Sequence, residues 1–178
     1  MGAMTSRRLR MCAALLLPGL CAWICTPGPA AFAAELRVVG WIERVRLGIE
    51  GLPVAAKLDT GADSSSLHAT AIRWFVRDDG DWVAFDVAGE GGQKASFERK
   101  VVRIARIRRT TGEVQKRPTI LLGVCLGSVY RLTEVNLSDR SGFDYEVLVG
   151  RRFLAGHFVV DPGRRHTVEP DCRETRAQ

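Results

Sequence analysis

No stretch between residues 34 and 163 repeats its apolar residues at the 3.6-residue period of an amphipathic helix. What recurs is a short run of β-branched and aromatic residues, broken each time by glycine, proline or aspartate. Val45, Leu47 and Ile49 fall at period two, Gly51-Leu52-Pro53 turns the chain, and Val54 to Leu58 returns as an apolar strand ending at Asp59. The same reading predicts strands over 82–87, 95–107, 119–122, 129–137 and 145–149. Asp78-Asp79-Gly80-Asp81 and Thr110-Thr111-Gly112-Glu113 read as turns, and Gly89-Glu90-Gly91-Gly92 as a flexible hairpin tip. A helical turn is expected over 151–155 and a last strand over 157–160, closed by Asp161-Pro162-Gly163. Such a chain folds as an all-β domain, a small closed barrel with one short helix near its C-terminus.

The first 33 residues read differently. Arg7, Arg8 and Arg10 precede an apolar stretch from Cys12 to Cys25 that Pro18 interrupts, and Ala31-Phe32-Ala33 presents small residues where a signal peptidase reads. This is the pattern of a secretory signal cut after Ala33, with an uncleaved tether as the alternative; the run is too short for a comfortable membrane span. The expected organisation is a signal over 1–33, a domain over 34–163 and a polar, frayed tail over 164–178. Removing 33 of the 178 residues leaves 145, the size of one domain. Three of the 26 basic residues leave with the signal and all 20 acidic ones stay, so +6 falls to +3, an ordinary surface balance that does not call for nucleic acid. Of five cysteines only Cys125 and Cys172 remain, and an exported compartment allows either a disulfide or two separate thiols.

The chemistry concentrates in two segments. Leu58-Asp59-Thr60-Gly61-Ala62-Asp63 delivers a carboxylate from an apolar strand into a tight glycine turn, and Val147-Leu148-Val149-Gly150-Arg151-Arg152-Phe153-Leu154 follows some 85 residues later. A water-activating carboxylate needs a fixed loop: the aspartate at a strand end, a hydroxyl to hold the turn, and a residue without Cβ where backbone passes close.

Lys57-Leu58-Asp59-Thr60-Gly61-Ala62 with Leu67-His68-Ala69 resembles the retropepsin-like aspartic peptidases, in the bacterial branch that carries the label ATP-dependent zinc protease. Asp81-Trp82-Val83-Ala84-Phe85, Leu137-Ser138-Asp139-Arg140, the Val149 to Leu154 segment and Val160-Asp161-Pro162 extend the resemblance over about residues 40–162. It implies a retropepsin-like barrel and an endopeptidase, exported on the signal reading, in which Asp59, Thr60 and Gly61 form half of an active site. Two such loops meet across a twofold axis, because two carboxylates about 3 Å apart share one proton and together activate water. The chain carries no second Asp-Thr/Ser-Gly, so the implied species is a homodimer acting on a peptide or protein substrate. The resemblance also implies that Leu148, Val149 and Gly150 thread behind the catalytic loop. Arg151 then pairs with Asp63 beside Ala62 in a partly buried ion pair, Arg152 is dispensable, and the hairpin from Trp82 to Arg99, with Gly89, Glu90, Gly91 and Gly92 at its tip, closes over substrate.

The zinc and ATP of the label find no counterpart in the residues. There is no His-Glu-x-x-His run, His68, His157 and His166 are scattered, and no Gly-x-x-x-x-Gly-Lys-Ser/Thr loop occurs, so no metal or cofactor is expected. His68 reads as a structural histidine. Two other functions stay open: a catalytically silent peptide-binding module of the same fold, and a basic adaptor using Arg99 to Arg109 to hold an acidic partner such as anionic lipid or a glutamate-rich peptide. The same basic run also fits a sheet strand with one solvated charged face.

Overall fold

The computed structural model describes residues 35–108 and 112–172; the signal reading, Arg109 and residues 173–178 fall outside them. Ten strands form the body: β1 (Arg37–Leu47), β2 (Leu52–Asp59), β3 (Ser65–His68), β4 (Thr70–Arg77), β5 (Gly80–Ala88), β6 (Lys94–Arg108), β7 (Val114–Leu126), β8 (Val129–Ser138), β9 (Val147–Gly150) and β10 (Phe158–Arg165). The one α-helix described, α1, is a single turn over Arg151–Leu154, where the chain turned helical as expected.

Strand order is β10-β1-β2-β9-β3-β8-β7-β6-β5-β4, and β1 also pairs with β7 through Arg46 opposite Cys125 and Leu47 opposite Val124. Six strands, β1-β2-β9-β3-β8-β7, therefore close on themselves, and the all-β closed architecture is as the sequence pattern implied. The ring contains two parallel pairings, β2 with β9 and β3 with β8, so each of two strands ending in a polar loop is laid beside the strand that follows the other loop. Strand β2 shows why the ring encloses a core. Leu52, Val54, Ala56 and Leu58 are buried and the residues between them are half-buried, the alternation that a pleated strand imposes. Val45, Leu47, Leu67, Ile120, Leu122, Val135, Leu137, Val149 and Phe153 complete the interior, and Phe85 stacks on Phe97 at 5.4 Å.

Several boundaries differ from the sequence reading. Strands β3 and β4 are additional, and β7 extends well beyond 119–122. The last strand does not stop at Asp161-Pro162-Gly163 but runs through it to Arg165. Among the described residues strand β10 is an edge strand pairing only with β1, with a register shift between Gly40 and Ile42, so Pro162 costs no ladder bond on its outer side.

Residues 166–172 are likewise not a frayed tail. His166 N–H donates to Ile42 O, Asp171 N–H to Gly127 O, and Cys172 is joined to Cys125 in a disulfide with a Cα separation of 6.0 Å. The fully buried Glu43 of β1 holds the centre of this strap. Its carboxylate accepts from Thr167 Oγ1 at 2.6 Å, Thr167 N at 2.9 Å, Gly40 N at 2.7 Å and Val168 N at 3.3 Å. Burial opposes the charge, but these donors outweigh it and hold the Glu43 carboxyl below the usual carboxylate range.

Candidate active site

Asp59 is the last residue of β2, opposite Gly150 of β9. Its Oδ1 accepts from the N–H of Gly61 at 2.9 Å and of Ala62 at 3.2 Å, while the Asp59 carbonyl also receives the Ala62 N–H at 3.3 Å. The loop thus curls around its own carboxylate. A Cβ on Gly61 would stand 3.1 Å from Asp59 Oδ1, so glycine is what lets the backbone donor come so near. Lys57, two residues back on the same face, places Nζ 3.6 Å from Asp59 Oδ2.

The second segment locks this loop from behind. Gly150 N–H donates to Ser65 Oγ, Arg151 N–H to Ala62 O at 2.8 Å, and Arg152 N–H to Asp63 O at 3.1 Å. A Cβ on Gly150 would lie 2.6 Å from the carbonyl carbon of Ser64 and 2.7 Å from its oxygen. The chain crosses there with no room for a side chain. Val149 is fully buried beside Leu58, and Leu148 stands opposite Lys57. The expected threading of Leu148, Val149 and Gly150 behind the loop is what the strand pairing shows.

The charges around the loop are arranged otherwise than expected. Arg151 Nη1 donates to the carbonyls of Thr60 at 3.0 Å and Gly61 at 2.9 Å, and its approach to Asp63 is a loose 3.8 Å. Arg152 is the closer partner of Asp63, at 3.0 Å, and it also bonds Glu134 Oε2 at 3.1 Å. Glu134 in turn takes Arg103 at 2.7 Å, and that hydrogen bond, ahead of the opposing effect of burial, holds its carboxyl below the usual range. Asp63, Arg151 and Arg152 are all more than half exposed, so the Arg151–Asp63 pair is not partly buried as expected, and Arg152 stands nearer to Asp63 than Arg151 does. Arg151 clamps backbone, and Arg152 links the loop to β8 and β6.

The glycine-rich tip lies elsewhere as well. Glu90–Gly92 forms a 3-10 turn, Gly89 is packed against Leu52 and Pro53, and Glu90 pairs with Arg44 at 2.6 Å. Leu52 is seven residues from Asp59 along β2, about 23 Å of strand. Gly89, Glu90, Gly91 and Gly92 therefore dock on the far end of the same strand and do not overhang this chain's Asp59. Acidic Glu90 has a partner on β1 there, which the sequence could not reveal.

What stands near Asp59 is a polar face of the ring. Side chains alternate, so Lys57 and Asp59 share the face opposite the core, and register carries one row across it: Lys57, Leu148, Ser66, Asn136, Thr119 and Arg103. Thr119, Ser66 and Asn136 are buried, and among the described residues Thr119 Oγ1 and Ser138 Oγ find no hydrogen-bond partner. Arg140, quoted in the sequence only as a point of resemblance, folds over this face. It donates from Nη1 to Ser66 Oγ at 2.9 Å, from Nε to Tyr145 O at 3.2 Å, and from its backbone N–H to His68 Nδ1 at 2.8 Å. His68 thus has the structural role expected of it. The stretch from Arg99 to Arg108 lies within β6, mostly half-buried or exposed, with Arg99 paired to Glu50 and Arg103 to Glu134. Among the described residues no group of three or more His, Cys, Asp or Glu side chains could hold a metal ion.

The comparisons with known proteins agree with this geometry. The profile of the RimB-like family, described as retropepsin-like aspartic endopeptidase RimB, matches residues 38–171. Two curated relatives, each named probable alpha-L-glutamate ligase, are similar over most of this chain. The one from Parasynechococcus marenigrum is 33% identical over 74% of this chain and 29% of its own length, and the one from Shewanella halifaxensis 32% over 72% and 30%. This chain therefore spans less than a third of those proteins. A crystal structure of a Legionella pneumophila protein of unknown function is 34% identical, with a TM-score of 0.66, covering 76% of this chain and all of that one. With the Asp-Thr-Gly loop, its Gly-Arg clamp and the closed ring all inside the matched span, the chain belongs to the RimB-like family of retropepsin-like aspartic endopeptidases.

Proposed function

We propose that this protein is an exported, periplasmic aspartic endopeptidase whose catalytic pair is Asp59 from each of two copies. The observation that carries the reading is the carboxylate itself. Two backbone N–H groups fix Oδ1 of Asp59, and this chain's neighbouring carboxylates, Asp63 and Glu134, are taken up by Arg152 and Arg103. A second copy supplies the missing partner. One shared proton then lets the ionised aspartate deprotonate water while the protonated one polarises the scissile carbonyl. Thr60 and Gly61 hold the loop, and Arg151 bonds to both their carbonyls.

Charge and the relatives both bear on the substrate class. Lys57, Arg117 and Arg140 lie on or over the face of Asp59. The curated relatives are named for ligation of glutamate. Both support peptides rich in glutamate as substrates.

Purified protein should cleave unfolded or glutamate-containing peptides at acidic to mildly acidic pH, where the pair keeps its single proton. Asp59→Asn should abolish cleavage and leave the circular-dichroism spectrum unchanged, and EDTA should have no effect. Full activity in the Asp59→Asn protein, or activity lost to EDTA and restored by zinc, would overturn the reading.

A further inference from the structure

We infer that Arg140 is a specificity-determining residue of the Asp59 site, its guanidinium receiving a carboxylate of the bound peptide about three residues from the bond that is cut. The inference rests on the peptidase reading and adds a recognition residue to it. Arg140 is only 8% exposed, yet it makes no ion pair among the described residues. Its two side-chain hydrogen bonds go to neutral acceptors, Ser66 Oγ and Tyr145 O. Neighbouring Asp139 approaches His68, at 3.7 Å, and Glu146 has a buried Oε2 with no hydrogen-bond partner among the described residues. A buried cation whose side-chain hydrogen bonds go only to neutral acceptors is incompletely compensated, and a carboxylate is the group that best relieves it.

The surroundings are suited to such an anion. Arg117 is two residues from Thr119 on β7 and so shares the face, where it donates to Asn136 Oδ1 at 3.3 Å. Burial first, and then the Arg117 charge, push the Arg140 guanidinium down, while the Glu146 and Asp59 charges act in the opposite sense. Among the described residues Arg140 Nη2 makes no hydrogen bond, so that edge of the guanidinium keeps its donors for a ligand. The Phe143 ring lies against the guanidinium at 4.6 Å and is itself 65% exposed, fixing the plane without taking up a donor.

Position sets the register. Ser66, which Arg140 touches, is two strands across from β2 and one pleat repeat back from Asp59. That is about 12 Å in the sheet, or between three and four residues of extended peptide. The carboxylate could be a glutamate side chain or the free C-terminus of a short product-side segment, and both present the same two oxygens to a guanidinium.

The test uses the full protein and a peptide it cleaves in an Asp59-dependent way. The peptide is varied by Glu→Gln at each position two to four residues from the cut, and separately by C-terminal amidation. Wild type should lose at least about tenfold in kcat/KM at one of these changes, the scale of a charge-assisted hydrogen bond, chiefly through KM. Arg140→Gln should show no preference between the neutral and the acidic peptide, whatever its rate on the neutral one. Sensitivity to Gln would mark a side-chain carboxylate, and sensitivity to the amide the C-terminal one; either supports the proposal. Should Arg140→Gln fail to fold, Arg140→Lys keeps the charge without the planar fork and should lose the preference for the acidic peptide over the neutral one several-fold. Asp59-dependent cleavage that ignores all these changes, or a preference that survives either Arg140 variant, overturns the role of Arg140 alone. Cleavage that persists in Asp59→Asn overturns the peptidase reading instead.

Discussion

Asp59 owes its position to residues with little or no side chain. Gly61 admits the donor at 2.9 Å, and Gly150 lets the Ser64 backbone cross where a Cβ would stand 2.6 Å from it. Gly150→Ala must therefore move either β9 or the loop. It should cost about 1–3 kcal/mol of stability as an overpacked site, measured by urea unfolding, and cleavage should fall more steeply than stability because the carboxylate moves with the loop. This part of the site was legible in the sequence, since a strand, an aspartate, a hydroxyl and a glycine are local signals. Arg152, Glu134 and Arg140 were not. Glu134 lies 18 residues from Arg152 and 31 from Arg103, and Arg140 is 74 from Ser66, so only the folded sheet brings them together. Arg151 and Arg152 are adjacent and chemically alike, and no sequence pattern says which faces Asp63.

At the scale of elements, the strap over β1 is the feature that composition misrepresents. Residues 166–172 look like a polar tail, yet Thr167 and Val168 donate to a carboxylate that is itself wholly buried in β1. Because the Glu43 carboxyl is held low in the folded state, its contribution is present above the ordinary glutamate value, about 4.3, and is lost as pH falls through the lower folded value. Thermal melts should show wild type losing stability on acidification below that point. Glu43→Gln should be less stable at neutral pH by about 1.5–3 kcal/mol and should lose less on acidification. A variant that melts as wild type does at neutral pH would show that the strap does not depend on this charge. The β10 boundary failed for a related reason: Asp161-Pro162-Gly163 is a stop signal in isolation, but an edge strand with a register shift tolerates it.

For the whole molecule, the alternation of short strands and turns indicated a closed all-β ring, while the pairing of β1 with β7 that closes it, and the choice of disulfide over free thiols, depended on the folded distances. The Cys125–Cys172 bridge spans 47 residues and ties the strap to β7. Replacing both cysteines by serine should lower stability by about 2–4 kcal/mol, and a reductant should lower the melting temperature of wild type but not of the double variant. Assembly of the Asp59 pair is the central claim, and mixing subunits tests it most directly. Wild type and Asp59→Asn protein are combined in equal amounts at a fixed total concentration, allowed to exchange subunits, and assayed for cleavage. If each active site needs Asp59 from two copies, only pairs of two wild-type chains work, and random pairing leaves about one quarter of the activity of the same total of wild type. Half of that activity would mean that each chain acts by itself and would contradict the account.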